Sequence, residues 1–534
     1  VGFSWNLTTK TCVADYYVPT FQVLNPNLQA CDGTVTLNRP LVSCHNPAGD
    51  PVDLSLCPPS QSETYFSPAG SRDAVALGLI IGLSLSTEVE QVRVNCGVGE
   101  TGVLVDATNF QTLWEAGRIQ VMCDSAYWSD PFLWGSQIKC HSRARVVGLG
   151  VNHGCVSTEL GSVLCWGIQS NGRLGNNSAS GSPLVQSSFP QDAARVCADS
   201  SCNQRLTDIV SVSSGNEFSC ALNSLGDVFC WGRNHLGQLG LGNTTQSAFA
   251  QKIPTLLFDK VVAGATHVCG IERSTSKVRC WGDGANGGLG NTTTTTLTSP
   301  TTYVAKSTSS TDHLLGVVDL ALGDKASCAV VGTQRELWCW GSGTNGRTGL
   351  NTTTARSYAS PVMINYTTNT PLVNVHKVSG YAAHFCAIAG GSRQLYCWGA
   401  GANGRLGTGL TSDASVPQLI NTSVLGVVQD VVVGSTHTCV IAGSSSKVYC
   451  VGLNNTGQLG YGAFSTTTSN PDYQSLTWKE VSGLPAVNKL FGGADYTCAQ
   501  DVNQALWCWG KNTNRVLRLG DTTTRSSAQK MLPF

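Results

Sequence analysis

One unit recurs seven times from Cys155 onward, and nothing else in the chain limits the possible folds as tightly. Its clearest copy runs Val262-Ala263-Gly264-Ala265-Thr266-His267-Val268-Cys269, then a polar turn, then Lys277-Val278-Arg279-Cys280-Trp281-Gly282. A Gly-rich stretch, Asn286-Gly287-Gly288-Leu289-Gly290, and a Thr-rich tail follow. Each copy holds two cysteines: Cys155 and Cys165, Cys220 and Cys230, Cys269 and Cys280, Cys328 and Cys339, Cys386 and Cys397, Cys439 and Cys450, Cys498 and Cys508. Trp166, Trp231, Trp281, Trp340, Trp398 and Trp509 follow the second cysteine; Val451 does so in the sixth unit.

Each unit alternates apolar and polar residues in short runs broken by Gly, Ser and Asn, the pattern of strands joined by tight turns. A several-stranded unit of this length cannot bury both of its faces alone, so it reads as a propeller blade. Seven copies predict an all-β, seven-bladed β-propeller over 141–534. The tryptophans are expected to pack between blades, and the loop glycines to supply positive φ and close backbone approach. The seventh loop is degenerate, reading Asn514-Arg515-Val516-Leu517-Arg518-Leu519-Gly520.

Gly-x-x-His-x-Cys, Cys-Trp-Gly and Asn-Gly-x-Leu-Gly together resemble repeats of the regulator of chromosome condensation type, a family of seven-bladed propellers. The added cysteine pair resembles the secreted branch, such as plant crinkly-type receptor ectodomains. The resemblance implies the fold and says little about function, because this propeller serves many roles.

There are 23 cysteines, which points either to a secreted, disulfide-bonded chain or to metal sites. The spacing within each pair suits a disulfide between opposed strands of a hairpin. Metal sites would need clustered Cys-x-x-Cys ligands, and the sequence has none. Cys197 and Cys202 are expected to close a small loop in the longest inter-repeat insertion. Eight sequons, at Asn6, Asn176, Asn243, Asn291, Asn351, Asn365, Asn421 and Asn454, agree with the secretory route and with attached glycans. Asn243, Asn291 and Asn351 are expected to be the most exposed. Val1 follows no charged-then-apolar leader, consistent with a signal peptide already removed.

Charged residues make up 12% of the chain and the formal net charge is zero. Such a surface has no long-range attraction for nucleic acid or anionic lipid. The longest apolar stretch, Ala74 to Leu85, is too short to span a bilayer, so no membrane insertion is expected.

Residues 1–60 resemble a degenerate thrombospondin type 1 repeat, in which Trp5 and Arg39 match the stacked Trp and Arg positions. Residues 61–140 read as a small β module or cap. Within them Gly97-Val98-Gly99-Glu100-Thr101-Gly102 mimics a phosphate-binding loop, but a strand-like segment follows where a helix is required, so a hairpin turn is the better reading.

His153, His267, His384 and His437 share one repeat position. Equivalent blade positions are spread around a ring rather than converging, so hydrogen bonds between blades are expected rather than metal binding. Arg173, Arg347, Arg405 and Arg518 sit two residues before the last loop glycine. They would form a partial basic ring on one rim, able to meet an acidic partner or a glycan, although loop solubility is the plainer reading. No nucleophile elbow, zinc-protease or Walker sequence is present, and no catalytic residue, metal or cofactor is expected.

The expected function is therefore a non-enzymatic extracellular structural glycoprotein, a subunit of a cell-surface or flagellar-hair-like filament assembling head to tail. The alternative is a receptor-like ectodomain or secreted binding protein. Seven cysteines precede the propeller (Cys12, Cys31, Cys44, Cys57, Cys96, Cys123 and Cys140), an odd number that leaves one thiol free or joined to another chain.

Overall fold

The computed structural model describes residues 144–158, 161–178, 193–423 and 425–531 in full, and the backbone of ten strands among residues 1–142. The chain divides into two compact units, Val1–Arg143 and Ala144–Phe534. In the first unit Val35–Asn38 pairs with Val89–Val94, so one sheet spans the expected boundary at residue 60. The stacking of Trp5 on Arg39, the Gly97–Gly102 turn and the pairing of the seven early cysteines lie outside the described residues.

The second unit is a ring of seven antiparallel sheets, each built from one repeat. Blade 5 is typical. Val375–Tyr381, His384–Ala389, Gln394–Gly399 and Ala414–Leu419 run as a meander from the ring axis outward. The first strands of the other blades, numbered in chain order, are Ala144–Leu149, Ile209–Ser214, Phe258–Ala263, Val317–Leu322, Val428–Val433 and Val487–Gly492. Blade 3 has three full strands, and isolated bridges at Leu297 and Tyr303 stand in for its fourth. The second strand is buried along its whole length in blades 1, 2, 3, 5, 6 and 7, because a neighbouring blade covers each of its faces. That is why these strands read as nearly continuous small and apolar runs.

In every blade the two repeat cysteines face each other across the second and third strands and form a disulfide, with Cα atoms 4.1 Å apart. Cys155 is joined to Cys165, Cys220 to Cys230, Cys269 to Cys280 and Cys328 to Cys339. Cys386 is joined to Cys397, Cys439 to Cys450 and Cys498 to Cys508. Antiparallel pairing sets the partners, because it places each first cysteine directly opposite its second, as in Cys155 opposite Cys165. Cys197 and Cys202 form an eighth bond among the described residues.

The six repeat tryptophans are fully buried. Each indole also ties its blade to the one before it. Nε1–H of Trp231, Trp281, Trp340, Trp398 and Trp509 donates to the carbonyls of Arg173, Gln238, Gly288, Arg347 and Gln458, at 3.0–3.1 Å. Trp166 donates to Val516 O at 2.8 Å and closes the ring. Blade 6 solves the same problem with other residues. Val451 leaves the Arg405 carbonyl without an indole, and Thr438 Oγ1 donates to it instead at 2.6 Å. The vacant volume is filled by Trp478, from the outer strand of blade 6. Its ring lies against Gly407, just as the other indoles lie against Gly175, Gly240, Gly290, Gly349 and Gly460. Truncating one of these indoles opens a cavity and orphans a carbonyl. Trp398→Ala is therefore expected to cost about 3–5 kcal/mol, read from the midpoint of urea unfolding.

Among the described residues no strand is shared between the first and last blades, so side chains close the ring. Tyr496 Oη donates to the carbonyls of Gly150 (3.1 Å) and His153 (2.9 Å), and Gln500 Nε2 donates to Ala144 O at 3.1 Å. Phe491, Leu506 and Leu517 share one apolar cluster with Leu149, Val156 and Trp166.

Candidate functional site: the central channel and its two mouths

The first strands line a central cavity of about 470 Å³. At the mouth where these strands end, Gly-x-x-His turns lead into the second strands. The four histidines lie here, and each bonds the next blade. Nε2 of His153 meets Ser219 Oγ at 3.0 Å, His267 meets Ser327 Oγ at 2.8 Å, His384 meets Thr438 Oγ1 at 2.9 Å and His437 meets Thr497 Oγ1 at 2.7 Å. Nδ1 of all four is buried without a hydrogen-bond partner. The proton therefore sits on Nε2, which donates to the hydroxyl. These are the inter-blade bonds that the spacing predicts. Among the described residues no group of His, Cys, Asp and Glu could hold a metal ion.

A matching rule was present in the sequence and was missed. Every blade with a histidine is followed by a blade with Ser or Thr just before its first cysteine. Blades that carry Phe218, Ala326 or Tyr496 instead are followed by Val268, Phe385 and Gly154. The donor and its acceptor change together because both are sealed from water, where an unpaired hydroxyl is costly. The glycine of Gly-x-x-His has its own cause: a Cβ on Gly150 or Gly434 would stand within 2.6 Å of the imidazole.

The arginines are a correction. Arg173, Arg347 and Arg405 do not form an exposed rim; they are buried, with at most 9% of each exposed. Nε of each donates to the carbonyl three residues earlier in its own loop, at 2.9–3.0 Å. The far end of each guanidinium reaches a turn between first and second strands: Glu217 Oε1 (2.8 Å), Asp324 O (2.9 Å) and Ser435 O (3.0 Å). Arg518 is not their equivalent. Val516 carries the carbonyl that accepts the next indole, so Val516 holds that position, and Arg518 takes the place of the loop's last glycine at φ 49°.

The sequons also separate. Asn454 is fully buried; its Nδ2 donates to Ala463 O and Asp472 O, and its Oδ1 accepts from Leu459 N. This amide organises the blade 6 loop and has no room for a sugar. Asn291 is 7% exposed and donates to Thr302 Oγ1 at 3.2 Å, so its amide too is held within the fold. Asn243, Asn351, Asn365 and Asn421 are exposed, Asn176 is half-buried, and the side chain of Asn6 lies outside the described residues.

The opposite mouth, where the first strands begin, was not anticipated. A β-bulge near the start of each first strand re-aims its third residue. In blades 3 to 7 that residue is Lys260, Asp319, Lys377, Asp430 and Lys489. Lys260 pairs with Asp319, and Lys377 with Asp430. All five stand nine residues before their blade's first cysteine, a periodicity that was available in the sequence. At the same end of the ring Leu225, Leu257, Leu315, Val318, Val427 and Val502 are exposed, four of them by more than half. Apolar residues surrounding a charged opening resemble a protein-docking face more than a catalytic cleft.

The family model described as "Regulator of chromosome condensation (RCC1) repeat" matches residues 226–271 and 394–441, and a second model of that repeat matches 209–238. The ultraviolet-B receptor UVR8 of Arabidopsis thaliana is 28% identical over 323 residues, spanning 60% of this chain and 69% of UVR8. The E3 ubiquitin-protein ligase HERC2 of Homo sapiens is 29% identical over 301 residues, which is 55% of this chain and 6% of HERC2. Among solved structures, human WBSCR16 aligns with a TM-score of 0.54 at 20% identity, covering 69% of this chain and 93% of that one. Yeast RCC1 (Prp20) in complex with Kap60 aligns with a TM-score of 0.53 at 16% identity, covering 72% and 85%. At such identities the structural likenesses speak to fold alone.

Proposed function

We propose that this chain, a propeller built of RCC1 repeats, is a non-enzymatic extracellular binding protein whose ring receives a protein partner. The observation that carries the reading is the set of seven buried disulfides, one in each blade. Disulfides persist in oxidising compartments, and here they stiffen a ring whose open mouth has an apolar surround. Its relative UVR8 is a receptor by name, in keeping with binding as the work of such a ring. No helix among the described residues is long and apolar enough to cross a membrane.

A second reading is the structural glycoprotein subunit assembling head to tail. It is favoured by the zero net charge and by the odd number of cysteines before the propeller. Light scattering on the intact protein under non-reducing conditions separates the two. A monomer at high concentration supports the binding reading, and an open-ended or disulfide-linked series of oligomers overturns it.

Exposure orders the glycan positions. After passage through a secretory host, peptide mapping is expected to find sugars on Asn243, Asn351, Asn365 and Asn421, and bare amides at Asn291 and Asn454. Unmodified asparagine at all four exposed sites would count against the extracellular assignment.

A further inference from the structure

The charged mouth of the channel is unbalanced by one lysine. Asp319 is held through one oxygen: its Oδ1 pairs with Lys260 and also accepts from Leu320 N at 2.8 Å. Asp430 pairs with Lys377, accepts from Val431 N at 3.0 Å, and turns its second oxygen to Leu490 N at 2.9 Å. Both carboxylates are thus fixed by backbone as well as by lysine. Lys489, the last member of the series, has no carboxylate of the described residues within salt-bridge distance. On its other side the ring continues with Val146 and Ser211, which carry no charge. Its ammonium lies over the Phe491 ring, 5.2 Å from the ring centroid.

Lys489 is half-buried and lies within electrostatic reach of Lys377 and Lys260 across the mouth. Burial first, then Lys377, push its pKa down; Asp430 opposes them, and Lys260 adds a smaller lowering. Three ammonium groups therefore share the opening with two carboxylates. Within this ring of five side chains the excess is a single positive charge, on a half-buried lysine that makes no ion pair among the described residues.

We propose that this mouth is a carboxylate-binding site in which Lys489, with Lys260 and Lys377 on the same ring, receives one carboxylate group. The charge count selects the class. One carboxylate neutralises these five side chains, whereas a sulfate or phosphate dianion would leave net negative charge among them, facing Asp319 and Asp430. The proposal stands on the geometry of the ring and is independent of the compartment in which the protein works.

The test uses the full-length disulfide-bonded protein with 13C-labelled lysine, titrated in separate arms with acetate, with a blocked Gly-Glu-Gly peptide and with inorganic sulfate. Acetate and the peptide are expected to shift the Lys489 Cε resonance saturably and to raise the pKa it reports. Equal affinity for both identifies a free small acid as sufficient, and an affinity at least tenfold higher for the peptide identifies an acidic protein side chain; either sustains the site. K489Q is expected to weaken carboxylate binding at least tenfold while K479Q leaves it unchanged. The proposal is overturned if wild-type Lys489 shows no saturable shift, if sulfate binds as well as the carboxylates, or if folded K489Q retains affinity within twofold. The wild-type titration decides the matter even if the variant does not fold.

Discussion

Acidification from about pH 7 to about pH 4.5 is expected to remove most of the propeller's stability, through the four inter-blade histidines. Burial is the leading cause: it lowers His153 and His437 to about 3 and His267 to about 4, and holds His384 well below the ordinary imidazole range. Arg173 adds to the effect at His153, and Arg405 at His384 and His437, while Asp283 opposes it at His267. In the unfolded chain these groups titrate near 6.5. Because the folded values are lower, the unfolded chain binds more protons below that point. The stabilisation is complete above about pH 7 and is lost as the pH falls from 6.5 toward 4. At pH 4.5 each of His153, His267 and His437 forfeits about 2.5 kcal/mol, and together they approach the roughly 5–15 kcal/mol that holds a typical domain folded. Asp227 and Asp521, whose carboxyls are lowered, act only below this window. Urea midpoints measured between pH 7.5 and 4.5 should fall steeply below 6.5. The paired change His267→Phe and Ser327→Val copies the arrangement of Phe218 and Val268 that the chain already uses between blades 2 and 3, and should reduce the slope by about a quarter. A flat profile in the wild type would show that the imidazoles reach water.

Reduction is the second large effect, and it should be all or none. The fourteen blade cysteines are each no more than 1% exposed, and they sit inside the apolar clusters between blades. Thiol–disulfide exchange requires a thiolate to reach a sulfur, so millimolar reductant is expected to leave all seven bonds intact in the native protein. Cys202 is partly exposed, and the Cys197–Cys202 bond should open first. In denaturant all eight should reduce. Each blade disulfide closes a loop with a sequence separation of 10 or 11 residues. Opening one costs about 2.7 kcal/mol in the chain-entropy account. Seven such losses exceed the stability of a typical domain, so the reduced chain should not refold when denaturant is removed. Alkylation followed by mass mapping reads both steps. Stepwise native reduction of the blade bonds would mean that the blades open locally.

The amino-acid sequence by itself determined the number of blades, their order, the cysteine partners and the inter-blade role of the histidines. These follow from period and alternation, which are local properties repeated seven times, and repetition exposes them without any knowledge of distant contacts. The side chains that differ from copy to copy were decided only in the folded ring. Arg173, Arg347 and Arg405 looked like surface charges because they lie in polar loops, but each loop is pressed against turns that supply acceptors, and burial follows from that contact. Asn454 carries a glycosylation signal, yet it spends its amide on its own loop. Trp478 stands far from the repeat position it serves, and only the space left by Val451 reveals its task. The lysine mouth shows the same division. Lys260, Lys377 and Lys489 recur at one spacing in the sequence, but a strand cannot say which charges it will face. Closure of the ring brings blades 3, 5 and 7 around one axis, and only there do three lysines and two aspartates become a single, incompletely neutralised opening.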